Sequence, residues 1–394
     1  MNVAFYINKR MSLKFYKDII SVLLNRSHNI FLIFDYSENR LEGKWREFPF
    51  LDTFQNENSK VFKRIIFDQN KIFQILKSEK IDYMISLSLP VSVSFDKEKF
   101  SCKWVLLQNG IDMFHYSKDF SKIDYIFFYS EYWKKKYDYS TDSKQALKCY
   151  GNYQFNNEII FNKNEILQKY NLEDKKIFLF LPWGPVNLYN FSSKFTKLFA
   201  EYFFNWPDPD GKFFNFKKFF YKLISKFYYT ELNILHKIYE HCKKNDIYLI
   251  IKSRSKRLID ENYIKYSDLI LYDEEILKPT IYELLYISDT VFTPLSSVVG
   301  ESIYFKNKTI VLDHKFFKYD NEKYLEFFSN EYFNCNNVTK IIGTDEFNSK
   351  ELNDILNFKF SDLEREKYLS KFFNYDQNQN VPKKIIEQLE KDCK

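Results

Sequence analysis

Long apolar runs are missing from this chain: none approaches the ~18 residues that read as a membrane-spanning helix, and the first stretch, MNVAFYINKR, reads as a strand followed by charge, not as a signal peptide. No two of the five cysteines (Cys102, Cys149, Cys242, Cys335, Cys393) form a CxxC pair and their number is odd. Free thiols in a reducing compartment are therefore expected, and a zinc site is not. There is no long basic arm either: 59 Lys and Arg against 53 Asp and Glu leave a net charge of +6 spread through the chain. Non-specific nucleic-acid binding rests on clustered phosphate-neutralising charge, so nucleic acid is not an expected partner. A mildly basic surface suits a nucleotide donor or an anionic membrane face equally. Glycine is scarce, with 7 residues in 394, while Phe (43) and Tyr (31) abound; with the many Lys, Asn and Ile this is the signature of a genome biased toward A and T, not of a function. Internal repeats and low-complexity tracts are absent. A soluble, cytoplasmic protein is expected, with a peripheral contact at the inner face of the membrane left open.

What is present is an alternation of strands and helices. At 394 residues the chain exceeds what one hydrophobic core usually organises, so two domains are expected. Residues 2–8, 30–34, 83–87, 104–108 and 124–129 read as buried strands, with helices over 11–25 and 69–78 and a short element at 146–150. The stretch between strand 30–34 and helix 69–78 reads as a charged, Phe-rich loop. Gly151-Asn152 breaks the pattern, and a linking helix, a charged turn and strand 177–181 open a second series, continued by a helix over 231–245 and strand 247–252. The predicted fold is α/β, two Rossmann-like domains facing a cleft: an N-terminal acceptor-side domain (1–160), a C-terminal nucleotide-donor domain (161–345) and a helical C-terminal segment (346–394). The end of that segment is expected to pack onto the first domain.

An aromatic and basic insert, 187–229, interrupts the second domain. Lys218, Lys222, Ser225 and Lys226 fall on one helical face, with Phe216, Phe219, Phe220, Leu223, Ile224 and Phe227 on the rest. Such a helix can lie in a bilayer interface or pack its aromatics on its own domain, and both readings stand. Asp208-Pro209-Asp210, within Trp-Pro-Asp-Pro-Asp-Gly, reads as a turn, not as a metal motif. His236 and His241, five apart on a helix, do not share a face as a metal pair would.

The chain is organised around Leu284–Asp313, LLYISDTVFTPLSSVVGESIYFKNKTIVLD. An apolar helix end, a short strand, a Ser-Ser turn, a helix opening near Val298 and a further strand follow with almost no slack, which is a βαβ unit with its ligand-facing turn in view. In an open α/β sheet ligands sit outside the carboxyl ends of the strands, where a helix N-terminus offers N–H groups to an anion. Ser296 and Ser297 add hydroxyls, and Glu301, about one turn on, suits a ribose diol; capping by the serines and a favourable helix charge are the plainer roles for the same residues.

These residues carry a resemblance. The order Glu283-Leu284-Leu285, Ser288-Asp289, Ser296-Ser297 and Glu301 resembles that of the GT-B glycosyltransferase superfamily, particularly the bacterial CDP-glycerol glycerophosphotransferase-like group and related capsule and surface-polysaccharide transferases. Ile250-Ile251-Lys252-Ser253-Arg254 stands where that group has a strand followed by Lys-any-His-Pro, with Arg254-Ser255 in place of His-Pro. In the first half, the group's His-Gly, which supplies the base there, is Asn109-Gly110 here, within LLQNGIDMFHY. Asparagine cannot take a proton at neutral pH, so the base falls to Asp112 or His115 on the same loop, or the activity differs.

The resemblance implies a glycosyltransferase, or a polyol-phosphate transferase, that uses a nucleotide-sugar or CDP-polyol donor and a glycan or lipid-linked acceptor to build a bacterial surface polysaccharide. An inverting transfer needs a base for the acceptor hydroxyl and positive groups for the departing phosphate. Asp112 and His115 are the catalytic candidates; Gly184, Lys252, Arg254, Ser296, Ser297 and Glu301 are the donor-binding candidates; no metal and no cofactor beyond the donor are expected. Two alternatives share the fold: a nucleotide-sugar epimerase or hydrolase, and a non-catalytic binding protein of a glycan assembly complex.

Overall fold

The computed structural model describes residues 1–8, 12–36, 61–88, 102–110, 123–137, 146–155, 161–182, 231–253, 261–271, 279–313 and 330–393. The candidates Asp112, His115, Gly184 and Arg254, the insert 187–229 and its Asp208-Pro209-Asp210 turn lie outside them.

The first sheet has seven strands: β1 (Asn2–Ile7), β2 (Asn29–Asp35), β3 (Val61–Ile66), β4 (Tyr83–Ser86), β5 (Lys103–Leu107), β6 (Tyr125–Phe128) and β7 (Ala146–Cys149). Their spatial order is β3-β2-β1-β4-β5-β6-β7 and every pairing is parallel, with Phe5 opposite both Leu32 and Ile85. A parallel sheet covered on both faces needs continuous apolar strands, and β1, β2, β4 and β6 supply them with almost unbroken burial. Helix α1 (Ser12–Asn25) buries Leu13, Tyr16, Ile19, Ile20 and Leu23, one face at helical spacing. The Tyr16 hydroxyl donates to the Tyr6 carbonyl at 2.9 Å, fixing α1 on β1.

The second sheet has six parallel strands: β8 (Ile177–Phe180), β9 (Tyr248–Lys252), β10 (Leu269–Leu271), β11 (Thr290–Pro294), β12 (Lys308–Asp313) and β13 (Thr339–Gly343), in the order β10-β9-β8-β11-β12-β13. Counted within its own unit this is 3-2-1-4-5-6, the doubly wound order, and the first sheet repeats it before adding β7. The strand order reverses between β1 and β4 in one sheet and between β8 and β11 in the other. Phe178, Phe180, Leu249, Ile251, Phe292, Ile310 and Leu312 meet Ile234, Leu235 and Ile238 of the helix Glu231–Lys244 in one apolar core.

Three strands were not read in the sequence: β3, β10 and β13. Each is an outer strand of its sheet, where only part of the side chains is covered, so neither an apolar run nor strict alternation marks it. In β3, Phe62, Lys63 and Ile65 are all exposed.

The chain divides into two compact units, residues 1–159 with 370–394, and residues 160–369. The last helix (Val381–Lys391) lies along α1, where Arg26 pairs with Glu387 at 3.1 Å and with Glu390 at 2.5 Å, and His28 Nε2 is 2.8 Å from Glu390. Tyr83 donates to the Leu389 carbonyl (2.9 Å), Tyr125 to the Asp392 carboxylate (2.5 Å) and Lys103 to the Asp392 carbonyl (2.9 Å). The crossing is tight at Gly151, whose φ is +115°; a Cβ there would lie 2.9 Å from a Val381 methyl and 3.2 Å from the Asn374 carbonyl, so only glycine fits.

Candidate functional site in the second unit

The site is built on the carboxyl edge of the second sheet. Strand β11, TVFTP, is buried throughout between β8 and β12, and Leu181 N–H donates to the Phe292 carbonyl at 2.8 Å, so the chain leaves β8 and β11 side by side at the strand-order reversal. A crevice forms at such a reversal because the connections on either side depart to opposite faces. Ser296 and Ser297 stand at the exit of β11, half-buried and exposed respectively, before the helix Val298–Tyr304.

That helix opens tightly. Val299 N–H donates to the Ser296 carbonyl and Gly300 N–H to the Ser297 carbonyl, both at 3.2 Å. Tyr332, on the short helix Asn330–Phe333, closes the turn from outside: its hydroxyl accepts from Gly300 N–H at 3.1 Å and donates to the Ser297 carbonyl at 3.1 Å. Two of the backbone donors that the sequence suggests for an anion are thus engaged within the protein. The hydroxyls are less engaged. Ser297 takes the helix-opening position with helical dihedrals and makes no side-chain cap, and Ser296 Oγ is a distant 3.5 Å from Val298 N. The turn offers side-chain hydroxyls more than helix-end N–H groups.

Glu301 accepts from the hydroxyl of buried Tyr282 at 3.3 Å. The far end of the helix is closed by Arg365, 6% exposed, whose guanidinium donates to the carbonyls of Ile303 (2.9 Å) and Tyr304 (2.6 Å). A cation there complements the negative end of the helix and pairs carbonyls that have no partner in the helix itself. Clamped by Tyr332 and Arg365, the segment carrying Ser297 and Glu301 is fixed at both ends.

One strand from the reversal, β9 ends in Lys252 and is followed by Ser253, 6% and 3% exposed. Lys252 Nζ donates to the Ser253 carbonyl at 2.8 Å, and Ser253 N–H donates to the Leu271 carbonyl at 2.9 Å. Ser253 Oγ, although buried, has no hydrogen-bond partner. Glu283, part of the motif order noted above, serves the fold instead: it is 4% exposed and accepts from Lys169 Nζ (2.9 Å) and the Tyr170 hydroxyl (2.7 Å), tying the linking helix Lys163–Lys169 to the helix Thr280–Ile287.

In the first unit, the residues that follow β5 up to Gly110, two positions before Asp112 in sequence, are held by a buried polar network. Gln108, fully buried, accepts from Tyr129 N–H at 2.8 Å and donates to the Gly110 carbonyl at 2.9 Å. Gly110, at φ +73°, donates to the Tyr129 hydroxyl (3.3 Å), which also accepts from Gln154 Nε2 (2.9 Å); Tyr153 donates to the Gln108 carbonyl (2.9 Å). None of Gln108, Tyr129, Tyr153 and Gln154 is evident as a positioning residue in the sequence. The available signal was a polar residue closing each apolar strand, Gln108 after WVLL and Ser130 after YIFFY.

Among the described residues no group of three or more His, Cys, Asp or Glu is placed to hold a metal ion, and no helix is long and apolar enough to cross a membrane. No family model and no curated protein matches the chain. Solved structures do. A glycosyltransferase from Rickettsia africae aligns at a TM-score of 0.55 and 12% identity over 100% of this chain and 98% of its own. The UDP-GlcNAc 2-epimerase of Methanocaldococcus jannaschii, in complex with UDP-GlcNAc and UDP, aligns at 0.54 and 15% over 99% and 100%. A variant of the wall teichoic acid polymerase TagF aligns at 0.55 and 15% over 100% and 88%. The fold is GT-B. At these identities the likeness speaks for the GT-B architecture, two parallel doubly wound units, and leaves the chemistry to the residues.

Proposed function

We propose that this chain is a transferase of surface-glycan assembly that moves a sugar or a polyol phosphate from a nucleotide-activated donor to a glycan or lipid-linked acceptor, with the donor on the second unit. The observation that carries the reading is that Lys252 ends β9 and Ser296 and Ser297 follow β11, on the carboxyl edge of one sheet with β8 between them, at and beside its strand-order reversal. There an ammonium and the two serine hydroxyls take the departing phosphate oxygens, and charge developing on the leaving nucleotide is stabilised where it forms. Arg254, two residues after Lys252 in sequence, adds a guanidinium for the phosphate, Gly184, four residues after β8 in sequence, gives the donor a position with no side chain, and Glu301 takes the ribose diol. The base is Asp112 or His115, which follow in sequence the Gln108 and Gly110 positions held by the buried network. A CDP-polyol donor makes the reaction a phosphoryl transfer, served by the same basic groups.

A thermal-shift screen of UDP-, CDP-, GDP- and dTDP-linked donors tests this. A ligand that binds only the folded state stabilises by about 2.7 kcal/mol at 100 times its Kd, and silence from every nucleotide removes the donor site. Glu301→Ala and Ser297→Ala each weaken a positive response.

A second reading, a nucleotide-sugar epimerase, has equal support from the fold, since the M. jannaschii epimerase and the R. africae glycosyltransferase both align over nearly their whole length. Asn109 in place of a histidine also suits it. Nucleotide release that requires an added acceptor supports the transferase; conversion of the donor to its epimer without one supports the epimerase.

A further inference from the structure

Two buried side-chain polar atoms among the described residues have no hydrogen-bond partner, Ser130 Oγ and Ser253 Oγ. Both follow the carboxyl end of a parallel strand, β6 and β9. Buried hydroxyls are otherwise paired in native proteins, because an unpaired one keeps the cost of leaving water with nothing in return. Their position is the edge at which open α/β sheets take their ligands. Ser253 is the more constrained of the two. It is 3% exposed, and both its backbone groups are engaged, the N–H with the Leu271 carbonyl at 2.9 Å and the carbonyl with Lys252 Nζ at 2.8 Å.

The location also restricts what the hydroxyl meets. Within its unit β9 is the second strand of a 3-2-1-4-5-6 sheet. In dinucleotide-binding units of that order, the conserved acidic residue that accepts from a ribose diol comes about twenty residues after the first glycine-rich turn. Here β9 closes on a buried ammonium and a buried hydroxyl. The ammonium has three donors and no acceptor, and the hydroxyl has a donor of its own. This pair suits anionic oxygens, and the hydrogen bonds it would make are of the charge-assisted, stronger kind.

We infer that Ser253 is a binding residue for a phosphate group of the donor, acting beside Lys252; the inference rests on the reading of the second unit as the nucleotide-binding one. The ligand chemistry is a nucleoside diphosphate, and inorganic pyrophosphate shares it.

The test is titration calorimetry of the full chain and of Ser253→Ala with UDP, CDP and inorganic pyrophosphate, alongside melting of each protein without ligand. Ser253→Ala deletes a hydroxyl that bonds to nothing in the protein, so its melting temperature stays level or rises, while Kd weakens about tenfold for each phosphate-bearing ligand that the unsubstituted chain binds. An unchanged Kd overturns the inference and leaves the donor reading standing. A weaker Kd together with a lower melting temperature also overturns it, because the hydroxyl is then structural. Pyrophosphate bound through Ser253 with no nucleotide bound keeps the anion contact and removes the donor reading. Binding of none of the three removes both.

Discussion

Replacing Tyr332 by Phe tests whether the Ser296-Ser297 turn is held from outside the helix it opens. The Tyr332 hydroxyl accepts from Gly300 N–H and donates to the Ser297 carbonyl, each at 3.1 Å. Its ring lies against Phe333 and Tyr368, with centroids 5.1 and 5.6 Å away. Phe keeps the volume and those ring contacts and deletes only the hydroxyl. Neither backbone group is orphaned, since Gly300 N–H still donates to the Ser297 carbonyl at 3.2 Å. Each lost bond therefore costs only its net worth, and the two together come to about 1–2 kcal/mol. Read as a local opening equilibrium, that is a factor of about 5–30. Native-state hydrogen exchange, followed by mass spectrometry on peptides spanning Val298–Tyr304, reads this locally and needs no two-state assumption for the whole chain. Exchange there should accelerate by that factor, while peptides of the first sheet keep their rates. Tyr332→Ala is the contrast: it also removes the ring, a truncation that costs about 3–5 kcal/mol, and its effect should spread into β13 and the helix Asp362–Phe373. Exchange of Val298–Tyr304 at the wild-type rate in the Phe variant, or Phe and Ala variants that behave alike, would refute the two-ended clamp.

Three further outcomes follow from particular contacts. Ser297→Ala should leave the unliganded melting temperature unchanged, because Ser297 makes no cap bond and so forfeits none of the ~1 kcal/mol that a lost cap normally costs; its effect should show in nucleotide titration instead. Gly151→Ala should destabilise the first unit by about 1–3 kcal/mol, since φ is +115° and the new methyl would stand 2.9 Å from a Val381 methyl, and limited proteolysis should release the C-terminal helix sooner. Hydrogen bonds from Tyr125 and Gln388 hold the Asp392 carboxyl below the usual carboxylate range. A folded-state pKa below the unfolded one gives stability that is present above the unfolded value and lost as pH falls through the folded one. The stability gap between wild type and Asp392→Asn should therefore be open at neutral pH and close in acid below about pH 3.9, as followed by urea unfolding across pH.

The interior of each sheet was legible in the sequence because a parallel strand covered on both faces must be apolar at every position. AFYI, IFLIF and IFLF announce themselves for that reason. The outer strands β3, β10 and β13 do not, because half of such a strand faces water and its pairing partner alone decides that it is a strand. VFKRII places Lys63 and Arg64 where a central strand cannot have them. Glu283 shows a different limit. Its place in a motif order suggests function, whereas its burial with Lys169 and Tyr170 gives it the work of holding a linking helix. Sequence order cannot separate those roles, since both select a carboxylate on one helix face.

The Ser-Ser turn shows what changes when geometry is added to a legible motif. Strand, turn and helix are all readable from TVFTPLSSVVGESIY, and that order alone points to an anion at the helix end. The residue that alters it, Tyr332, lies 35 positions from Ser297 on an element that no local pattern links to the turn. It engages Gly300 N–H and the Ser297 carbonyl, while Ser296 takes Val298 and Val299 N–H, and the serine hydroxyls are left as the turn's distinctive donors. Hydroxyls rotate and both donate and accept, so they suit a phosphate and a sugar alike, whereas helix-end N–H groups can only donate and favour an anion. A site made this way sets position strictly and ligand identity loosely. Selection among donors then falls to the charged groups beside it, of which Lys252, buried at the end of β9, is the one whose replacement by Met should cost every phosphate-bearing ligand its affinity while leaving the turn's hydrogen exchange untouched.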